Sequence, residues 1–443
     1  MKIKKWAGIA LSSMLAASVF LGGCSSSSTS GKNDKVELTL GYYSSGSVDA
    51  TMNEIISKFE KDNPSIKIKT VTAPYGQFFQ KLDTQIAGGK QPDLWLSDGV
   101  LVSKFSERGA IKDLTKHIDK DLKKEDYYGL DFDKDNSGKY WGVPSGIQIG
   151  ALFYNKDMFD KAKVPYPTKD WTWDDLKTAA TKLTIDSSGK TAENPGFKKD
   201  AIKQYGYSFF NITEGWFPIL KAFGGSVLDP ALEKSVVNSP ENKKAIDWIV
   251  DGMKKGVIID PSDLESFQSP FTPFPSGSAA MVTGIYVRTL AANEAKLNYD
   301  VAPLPKGPDG KRFSPVIANS WVISSKTDAK KEDAAWKWIK NWATNDEVQA
   351  KWAALGEAVP VKKSVAASDK FLKSGTKPEN KQVFLDAFNY AGTLDTNAVW
   401  TEWNQKFTDT VYPAFRNETT VDQALVKADS EIQKVLDDFY KKK

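Results

Sequence analysis

The sequence contains one cysteine and one histidine among its 443 residues. A single cysteine cannot form an intramolecular disulfide, and the two residues together provide too few ligands for a zinc site. A Ser-His-Asp triad would have to use His117, which lies in a charged stretch and is accompanied by no G-x-S-x-G elbow. The sequence therefore predicts a protein that is stabilised by a large apolar core and has neither zinc nor serine-triad chemistry.

The sequence also lacks a surplus of one charge sign. Its 60 basic and 56 acidic side chains leave a net charge of +4, and the two signs are interspersed along the chain. No basic stripe indicates a nucleic-acid partner. Beyond the N-terminal segment, no run approaches the ~18 consecutive apolar residues that a membrane-spanning helix requires.

The N-terminal segment has the pattern of an export signal. Lys2, Lys4 and Lys5 form a positive region, and an apolar run follows from about residue 7 to residue 21. Such a run is short for a bilayer span but suits the apolar region of a signal peptide. We therefore expect export of the chain.

The string Leu21-Gly22-Gly23-Cys24 closes this segment and resembles the lipobox of bacterial lipoproteins. The resemblance implies that residues 1–23 are removed and that Cys24 is acylated. We expect more than one acyl chain on Cys24, because a single acyl chain anchors a protein only weakly. Residues 24–35 are mostly small and polar, as in a flexible tether. The alternatives are a plain signal peptide or a short membrane anchor with an incidental cysteine.

The folded part begins with alternating strand and helix signals. Their order is strand 36–40, helix 51–62, strand 66–71, helix 78–87 and strand 94–96. This order implies βαβ units and a mostly parallel sheet, at whose carboxyl edge ligands bind. Tyr43, Ser97 and Asp98 would lie at that edge. A second α/β block follows Gly146, with a helix at 173–183, and the last hundred residues are mainly helical.

Six strings in one order resemble the family 1 extracellular solute-binding proteins, the maltose-binding-protein-like receptors of sugar ABC importers. They are FEKDNPSIKIK, GGKQPDLWLSDG, GKYWGVPSGIQIGALFYNKDMF, PTKDWTWDDL, FPSGSAAMVTGIY and YDVAPLPKGPDGK. The resemblance implies a type II periplasmic-binding-protein-like α/β fold of two lobes, each a mostly parallel sheet flanked by helices. We place lobe one at 36–147 plus 305–345 and lobe two at 148–304 plus 346–443, with a hinge that closes them on a ligand.

The resemblance also implies a function. A monomer anchored by lipid to the outer face of the cell membrane, or held in a periplasm, would capture an oligosaccharide and deliver it to ABC permease subunits. No cofactor, nucleic acid or enzymatic activity is expected. Three alternatives stay open: a glycosidase with a carboxylate pair, a receptor for polyamine, iron, phosphate or peptide, and a surface adhesin.

A sugar site needs aromatic planes for stacking and polar groups for hydroxyls. Strand ends and the resemblance together predict the ligand-binding set Tyr43, Ser97, Asp98, Gln148, Glu214, Trp216, Tyr286, Arg288, Asn319, Trp321, Trp400 and Trp403. Tyr286 is expected to be the principal stacking residue. Asp98 could instead cap the following helix, and Arg288 could bind an acidic sugar or form a surface salt bridge.

Other conspicuous residues are expected to be structural. Trp95 lies inside a strand, and Trp336, Trp338 and Trp342 have the spacing of a packed helix face.

An acidic run resembles the start of a calcium loop through Asp131, Asp133 and Asp135. The twelfth position of such a loop would fall on Gly142 or Pro144, which carry no carboxylate. A polar turn ending at Gly138 is the preferred interpretation, and calcium is the weaker alternative.

Overall fold

A computed structural model of the protein describes residues 35–209, 212–267 and 269–441. The predicted signal segment, Cys24 and the tether up to residue 34 lie outside the described residues. None of the helices in the described ranges is both long and apolar enough to cross a bilayer.

Within these ranges the chain forms ten strands. They are β1 (Val36–Tyr43), β2 (Ile66–Ala73), β3 (Leu94–Ser97), β4 (Val143–Asn155), β5 (Ile185–Asp186), β6 (Ile202–Ser208), β7 (Ala279–Ile285), β8 (Tyr299–Ala302), β9 (Ser314–Ile323) and β10 (Ala391–Thr393).

Seventeen α-helices lie in the same part of the chain. They are α1 (Gly46–Asp62), α2 (Tyr75–Ala87), α3 (Gly99–Glu107), α4 (Thr115–Asp121), α5 (Lys156–Ala162), α6 (Trp173–Leu183), α7 (Thr213–Ala222), α8 (Pro240–Lys254), α9 (Pro261–Leu264), α10 (Arg288–Glu294), α11 (Ala329–Thr344), α12 (Asp346–Leu355), α13 (Lys363–Ala366), α14 (Asp369–Leu372), α15 (Gln382–Asp386), α16 (Trp400–Phe415) and α17 (Val421–Tyr440). Short 3-10 helices lie at Lys124–Asp126, Leu130–Asp133, Lys199–Ala201 and Ala387–Tyr390.

The strands hydrogen-bond in the order β2-β1-β3-β9-β4-β7-β6-β5, with β10 beside β9 and β8 beside β4. β1 is parallel to β2 and β3, and β6 is parallel to β7. β9 is antiparallel to both β3 and β4. The α/β class is as predicted, but the pairing is mixed rather than mostly parallel because β4 and β9 run antiparallel through the centre.

Strand β4 joins the two halves of this sheet. Its residues 143–149 pair with β9, and residues 150–155 pair with β7 and β8. All thirteen residues of β4 are buried, as expected of a central strand covered on both faces. A Cβ on Gly150 would lie 2.4 Å from Cδ of Pro315, so this crossing requires glycine.

Helix α6 shows how local sequence sets an element boundary. The Thr172 side chain accepts a hydrogen bond from the Asp175 backbone N–H, and the Asp175 carboxylate accepts one from the Thr172 N–H. This capping box satisfies two backbone donors at the helix start. The helix spans Trp173–Leu183, as the sequence predicts.

Buried apolar side chains form two large clusters. One surrounds β1, β2, α1, α11 and α12, and the other surrounds α6, α7, α8, α16 and α17. Trp336, Trp338 and Trp342 lie in the first cluster, which confirms their predicted packing role, and Trp95 is buried in a smaller cluster. The boundaries of the two lobes stay a prediction.

Candidate functional site

A cavity of about 780 Å³ lies at the carboxyl ends of β1 and β3. This volume falls within the ~300–1,000 Å³ range of small-molecule sites. Its aromatic lining consists of Tyr43, Tyr75, Phe79, Phe271, Trp400 and Tyr412. Its main polar side chains are Asp98, Gln148, Glu214, Arg288, Asn319 and Glu357.

Three aromatic rings form one wall of the cavity. Tyr43 ends β1, and Tyr75 and Phe79 lie one helical turn apart at the start of α2. The Tyr75 ring meets Tyr43 edge-on at a centroid distance of 5.4 Å and Phe79 at 5.2 Å. Tyr75 is 52% exposed, which is unusual for a large ring and leaves one part of it open to a ligand.

Asp98 follows β3 and uses its two oxygens differently. Oδ1 accepts a hydrogen bond from the Val100 backbone N–H at 3.1 Å and thereby caps α3. Oδ2 accepts one from the Tyr75 hydroxyl. Burial raises the pKa of Asp98, and the bond from Tyr75 partly opposes this effect. Asp98 is therefore both the helix cap and part of the cavity wall.

Asn319 on β9 ties two sides of the cavity together. Its Oδ1 accepts a hydrogen bond from the Gly99 backbone N–H at 3.3 Å, and its Nδ2 donates to the Tyr43 hydroxyl at 3.2 Å. A Cβ on Gly99 would lie 2.3 Å from the Ala318 carbonyl oxygen, so glycine is needed for this close approach. The hydrogen bond from Asn319 therefore fixes the orientation of the Tyr43 side chain.

Gln148 lies on the central strand β4 and is 3% exposed. Its Oε1 accepts a hydrogen bond from the Val287 backbone N–H at 2.9 Å, and its Nε2 donates to the Glu357 carbonyl oxygen. The amide therefore positions the segments that carry Arg288 and Glu357, and its polar atoms are already bonded to the backbone.

Glu214 and Arg288 form an ion pair in the cavity wall. Arg288 Nη2 donates to Glu214 Oε1 at 2.8 Å, and the two side chains are 19% and 17% exposed. The guanidinium carbon lies 3.7 Å from the centroid of the Phe271 ring. Arg288 therefore belongs to a partly buried cluster and not to an exposed surface salt bridge.

Glu357 is a buried carboxyl group in the cavity lining. It lies just after α12 and is only 4% exposed. Burial raises the pKa of Glu357 to about 7. A carboxyl in this environment can accept a ligand hydrogen bond when ionised and donate one when protonated.

Seven predicted site residues line the cavity. They are Tyr43, Asp98, Gln148, Glu214, Arg288, Asn319 and Trp400. They come from strand ends, from β4 and β9, and from helices α7, α10 and α16, so the fold brings together residues that are far apart in sequence.

Two predicted stacking residues lie in the core instead. Tyr286 is 1% exposed, and its ring packs edge-on against Phe384 at 4.9 Å. Its hydroxyl donates to the Ala353 carbonyl oxygen at 3.3 Å. Trp216 is 1% exposed and stacks on Phe407 at 3.9 Å. Both rings are already covered by other rings, so they offer no face to the cavity.

Three further predicted residues are also outside the cavity lining. Ser97 and Trp403 are fully buried, and the Ser97 hydroxyl donates to the Asp98 carbonyl oxygen at 3.0 Å. Trp321 is fully buried and meets Trp342 at 5.1 Å. Ser97 ends β3, Trp321 lies on β9 and Trp403 lies on α16, and the protein interior covers all three side chains.

Several lining residues were not predicted from the sequence. They are Tyr75, Phe79, Phe271, Glu357 and Tyr412. The i, i+4 spacing of Tyr75 and Phe79 is a helical signal that could have identified one common face. No local pattern marks Glu357, because tertiary packing through Gln148 brings it to the cavity.

The carboxylates of the predicted calcium alternative bind separate protein partners. Asp131 accepts from the Tyr140 hydroxyl at 2.6 Å, and Asp135 accepts from the Trp141 indole N–H at 2.8 Å. Burial raises the pKa of Asp133 to about 7. Across the described residues, no group of three or more His, Cys, Asp or Glu is placed to hold a metal. The calcium alternative therefore stays a prediction.

The family of the chain follows from its sequence as a whole. A family model described as bacterial extracellular solute-binding protein matches residues 54–381, which is well over half of the chain. The chain therefore belongs to the bacterial extracellular solute-binding proteins, as the six sequence strings predicted.

The alignments with individual relatives cover most of this chain and most of each relative. The maltodextrin-binding protein MdxE of Bacillus subtilis is 28% identical over 357 residues, 78% of this chain and 77% of that protein. A galactooligosaccharide-binding protein of the same species is 24% identical over 334 residues, 73% of this chain and 72% of that protein.

A solved structure shows the same fold. The ABC substrate-binding protein Lmo0181 of Listeria monocytogenes, in complex with cycloalternan, is 27% identical and aligns with a TM-score of 0.79. The alignment covers 91% of this chain and 99% of that chain. It confirms the predicted type II periplasmic-binding-protein-like fold.

Proposed function

We propose that this protein binds an oligosaccharide in the cavity and delivers it, chemically unchanged, to the permease subunits of an ABC importer. The observation that carries the proposal is one cavity that combines the rings of Tyr43, Tyr75 and Trp400 with the carboxyl groups of Asp98, Glu214 and Glu357. Aromatic faces pack on the C–H faces of sugar rings, and carboxylates accept hydrogen bonds from hydroxyls. The family and two relatives named for oligosaccharide binding support the same ligand class.

The site is proposed to bind without hydrolysis. A glycosidase needs an acid and a second carboxylate placed across the scissile bond. Glu214 is paired with Arg288, and Asp98 is bonded to Tyr75 and caps α3, so both carboxylates already serve the protein's own structure. The relatives reported above are binding proteins by name.

The cavity receives residues from both predicted lobes. Tyr43 and Asp98 belong to predicted lobe one, and Glu214 and Arg288 belong to predicted lobe two. We propose that a bound sugar draws these sides together by a hinge movement. Small-angle scattering should then show a smaller radius of gyration with ligand, and an unchanged radius at saturating ligand would argue against closure.

The membrane location rests on the N-terminal sequence. We propose that Cys24 is acylated and that residues 24–35 tether the folded part to the outer face of the cell membrane. Substitution Cys24→Ser should move the protein from the membrane fraction to the supernatant of expressing cells. Unchanged fractionation of that variant would contradict lipid anchoring.

A thermal-shift screen against oligosaccharides of differing linkage, with a peptide pool and spermidine as other solute classes, tests the ligand class. We expect at least one oligosaccharide to raise the melting temperature, because ligands that bind only the folded state stabilise it. The variants Tyr75→Ala and Trp400→Ala should each lose affinity by about tenfold or more, on the scale of a lost aromatic contact.

The matched control is Tyr440→Ala, which changes an aromatic residue at the end of α17 outside the cavity lining. It should keep the wild-type affinity. A melting-temperature rise with peptides or spermidine alone, or equal affinity in all three variants, would contradict the proposal.

A further inference from the structure

Six charged side chains line the cavity, and the acidic ones are in excess. Among the described lining residues, the acids are Asp83, Asp98, Glu214 and Glu357, and the bases are Lys104 and Arg288. Each base is paired with an acid. Lys104 Nζ donates to both oxygens of Asp83 at 2.9 and 2.8 Å, and Arg288 pairs with Glu214. The two remaining carboxyl groups are those of Asp98 and Glu357.

The carboxyl groups of Asp98 and Glu357 both influence the Tyr43 side chain in the cavity wall. Burial raises the pKa of Tyr43, and the charges of Glu357 and Asp98 raise it further, which places the Tyr43 hydroxyl in the field of both. Asp98 accepts hydrogen bonds from Tyr75 and from the Val100 backbone N–H. Glu357 differs from Asp98 because, within the described residues, its carboxyl group accepts no hydrogen bond from the protein and burial alone raises its pKa.

A buried carboxylate without a cation is costly to ionise, and a ligand that supplies the cation removes this cost. A ligand carboxylate in the same place would add repulsion, because Arg288 already has Glu214 as its counterion. The charge arrangement therefore discriminates between ligands that differ only in charge.

We propose that the cavity is selective for saccharides that carry a protonated amine, that Glu357 is the residue that receives this amine, and that anionic saccharides are rejected. This inference rests on the proposed function and specifies its ligand class. It excludes the acidic sugar that the sequence had left open for Arg288.

The test uses two neutral parents, maltotriose and β-1,4-galactotriose. Two series of derivatives are prepared from each parent. In the amine isomers, the primary hydroxyl of one ring is replaced by an amine. In the carboxylate isomers, the primary alcohol of one ring is oxidised to a carboxylate, and each ring is modified in turn. Isothermal titration calorimetry at pH 7.5 measures all affinities, and spermidine is included as an amine without a sugar ring. At least one amine isomer should bind about tenfold more tightly than its parent, and every carboxylate isomer about tenfold more weakly.

The variant Glu357→Gln keeps the shape of the side chain and removes its charge. It should bring the amine-to-parent affinity ratio to within about twofold of unity. The control Glu294→Gln makes the same chemical change at an exposed position on α10 outside the cavity lining, and it should preserve the wild-type ratio.

The outcomes separate this inference from the proposed function. If the parents bind but no amine isomer binds more tightly, or a carboxylate isomer binds as tightly as its parent, the charge selectivity is wrong and sugar binding stands. An amine preference that persists in Glu357→Gln removes the assigned residue. If no saccharide binds, or spermidine alone binds, the proposed function itself fails.

Discussion

Arg288 and Glu214 neutralise each other inside the cavity wall, with 2.8 Å between Nη2 and Oε1. Phe271 covers the guanidinium at 3.7 Å, so the cation has both a counterion and an aromatic face. This cluster connects the start of α7 with the start of α10. It therefore stabilises the wall of the cavity that α7 and α10 form.

The first prediction concerns this ion pair. Glu214→Gln should lower the free energy of unfolding by about 3 kcal/mol or more, because it leaves a mostly buried guanidinium without its counterion. The double variant Glu214→Gln/Arg288→Met should recover most of that loss. Urea unfolding at pH 7 measures both.

The control for this cycle is Asp369→Asn, which breaks an exposed pair with Lys373 whose side chains are 75% and 76% exposed. Its effect should stay below about 1 kcal/mol. Equal stability of the Glu214 single variant and the double variant would show that Arg288 does not depend on Glu214.

The second prediction separates the ring of Tyr75 from its hydroxyl. Tyr75→Phe keeps the edge-on contacts with Tyr43 and Phe79 but removes the hydrogen bond to Asp98. Tyr75→Ala removes both. If stacking dominates, Tyr75→Phe should lose less than about fivefold in sugar affinity, and Tyr75→Ala should lose more than about tenfold. Calorimetric titration measures both, and identical losses would assign the effect to the hydroxyl.

The third prediction tests the assignment of Tyr286 to the core. Tyr286→Ala should destabilise the protein by about 3–5 kcal/mol, as other buried aromatic truncations do. Tyr286→Phe removes only the 3.3 Å hydrogen bond to Ala353 and should leave sugar affinity unchanged. A binding loss in Tyr286→Phe with unchanged stability would return this residue to the ligand site.

The fourth prediction is the pH dependence that Glu357 contributes to stability. Its pKa is raised from 4.5 to about 7 by burial in the folded protein. Between these values the folded state binds more protons than the unfolded state, so the free energy of unfolding falls as pH rises and levels off above about 7. Glu357→Gln should therefore be more stable than wild type by about 2–3 kcal/mol at pH 8 and nearly equal at pH 4.5.

Urea unfolding at the two pH values measures this difference directly. Both proteins retain a further pH-dependent contribution from Asp133, whose pKa is also raised by burial, so the variant and the wild type must be compared at each pH. A Glu357→Gln variant that is no more stable than wild type at pH 8 would mean that the carboxyl is better solvated than its 4% exposure indicates.

Local sequence patterns predicted the elements well where the signal is itself local. Thr172 and Asp175 set the start of α6, and the alternation of 66–71 lies within β2. The strand-end argument also led to Tyr43 and Asp98, because parallel strands bring their carboxyl ends to one edge.

The same patterns could not decide which way an aromatic ring points. Trp216 and Tyr286 are residue types that sugar sites use, but tertiary packing covers the ring of Trp216 with Phe407 and the ring of Tyr286 with Phe384. Glu357 shows the opposite case, since long-range contacts of its segment with β4, among them the bond from Gln148 to its backbone carbonyl, place it beside the cavity. Local sequence patterns likewise could not predict the pairing of β4 with β9, because this antiparallel contact joins residues that are far apart in the chain.

The most direct test of the central claim is a calorimetric titration of the purified protein with the oligosaccharide that gives the largest thermal shift, with the sugar recovered afterwards and analysed by chromatography. We predict saturable binding of one sugar per protein chain and full recovery of intact sugar. The absence of saturable binding by any oligosaccharide, or the appearance of shortened products, would contradict the account.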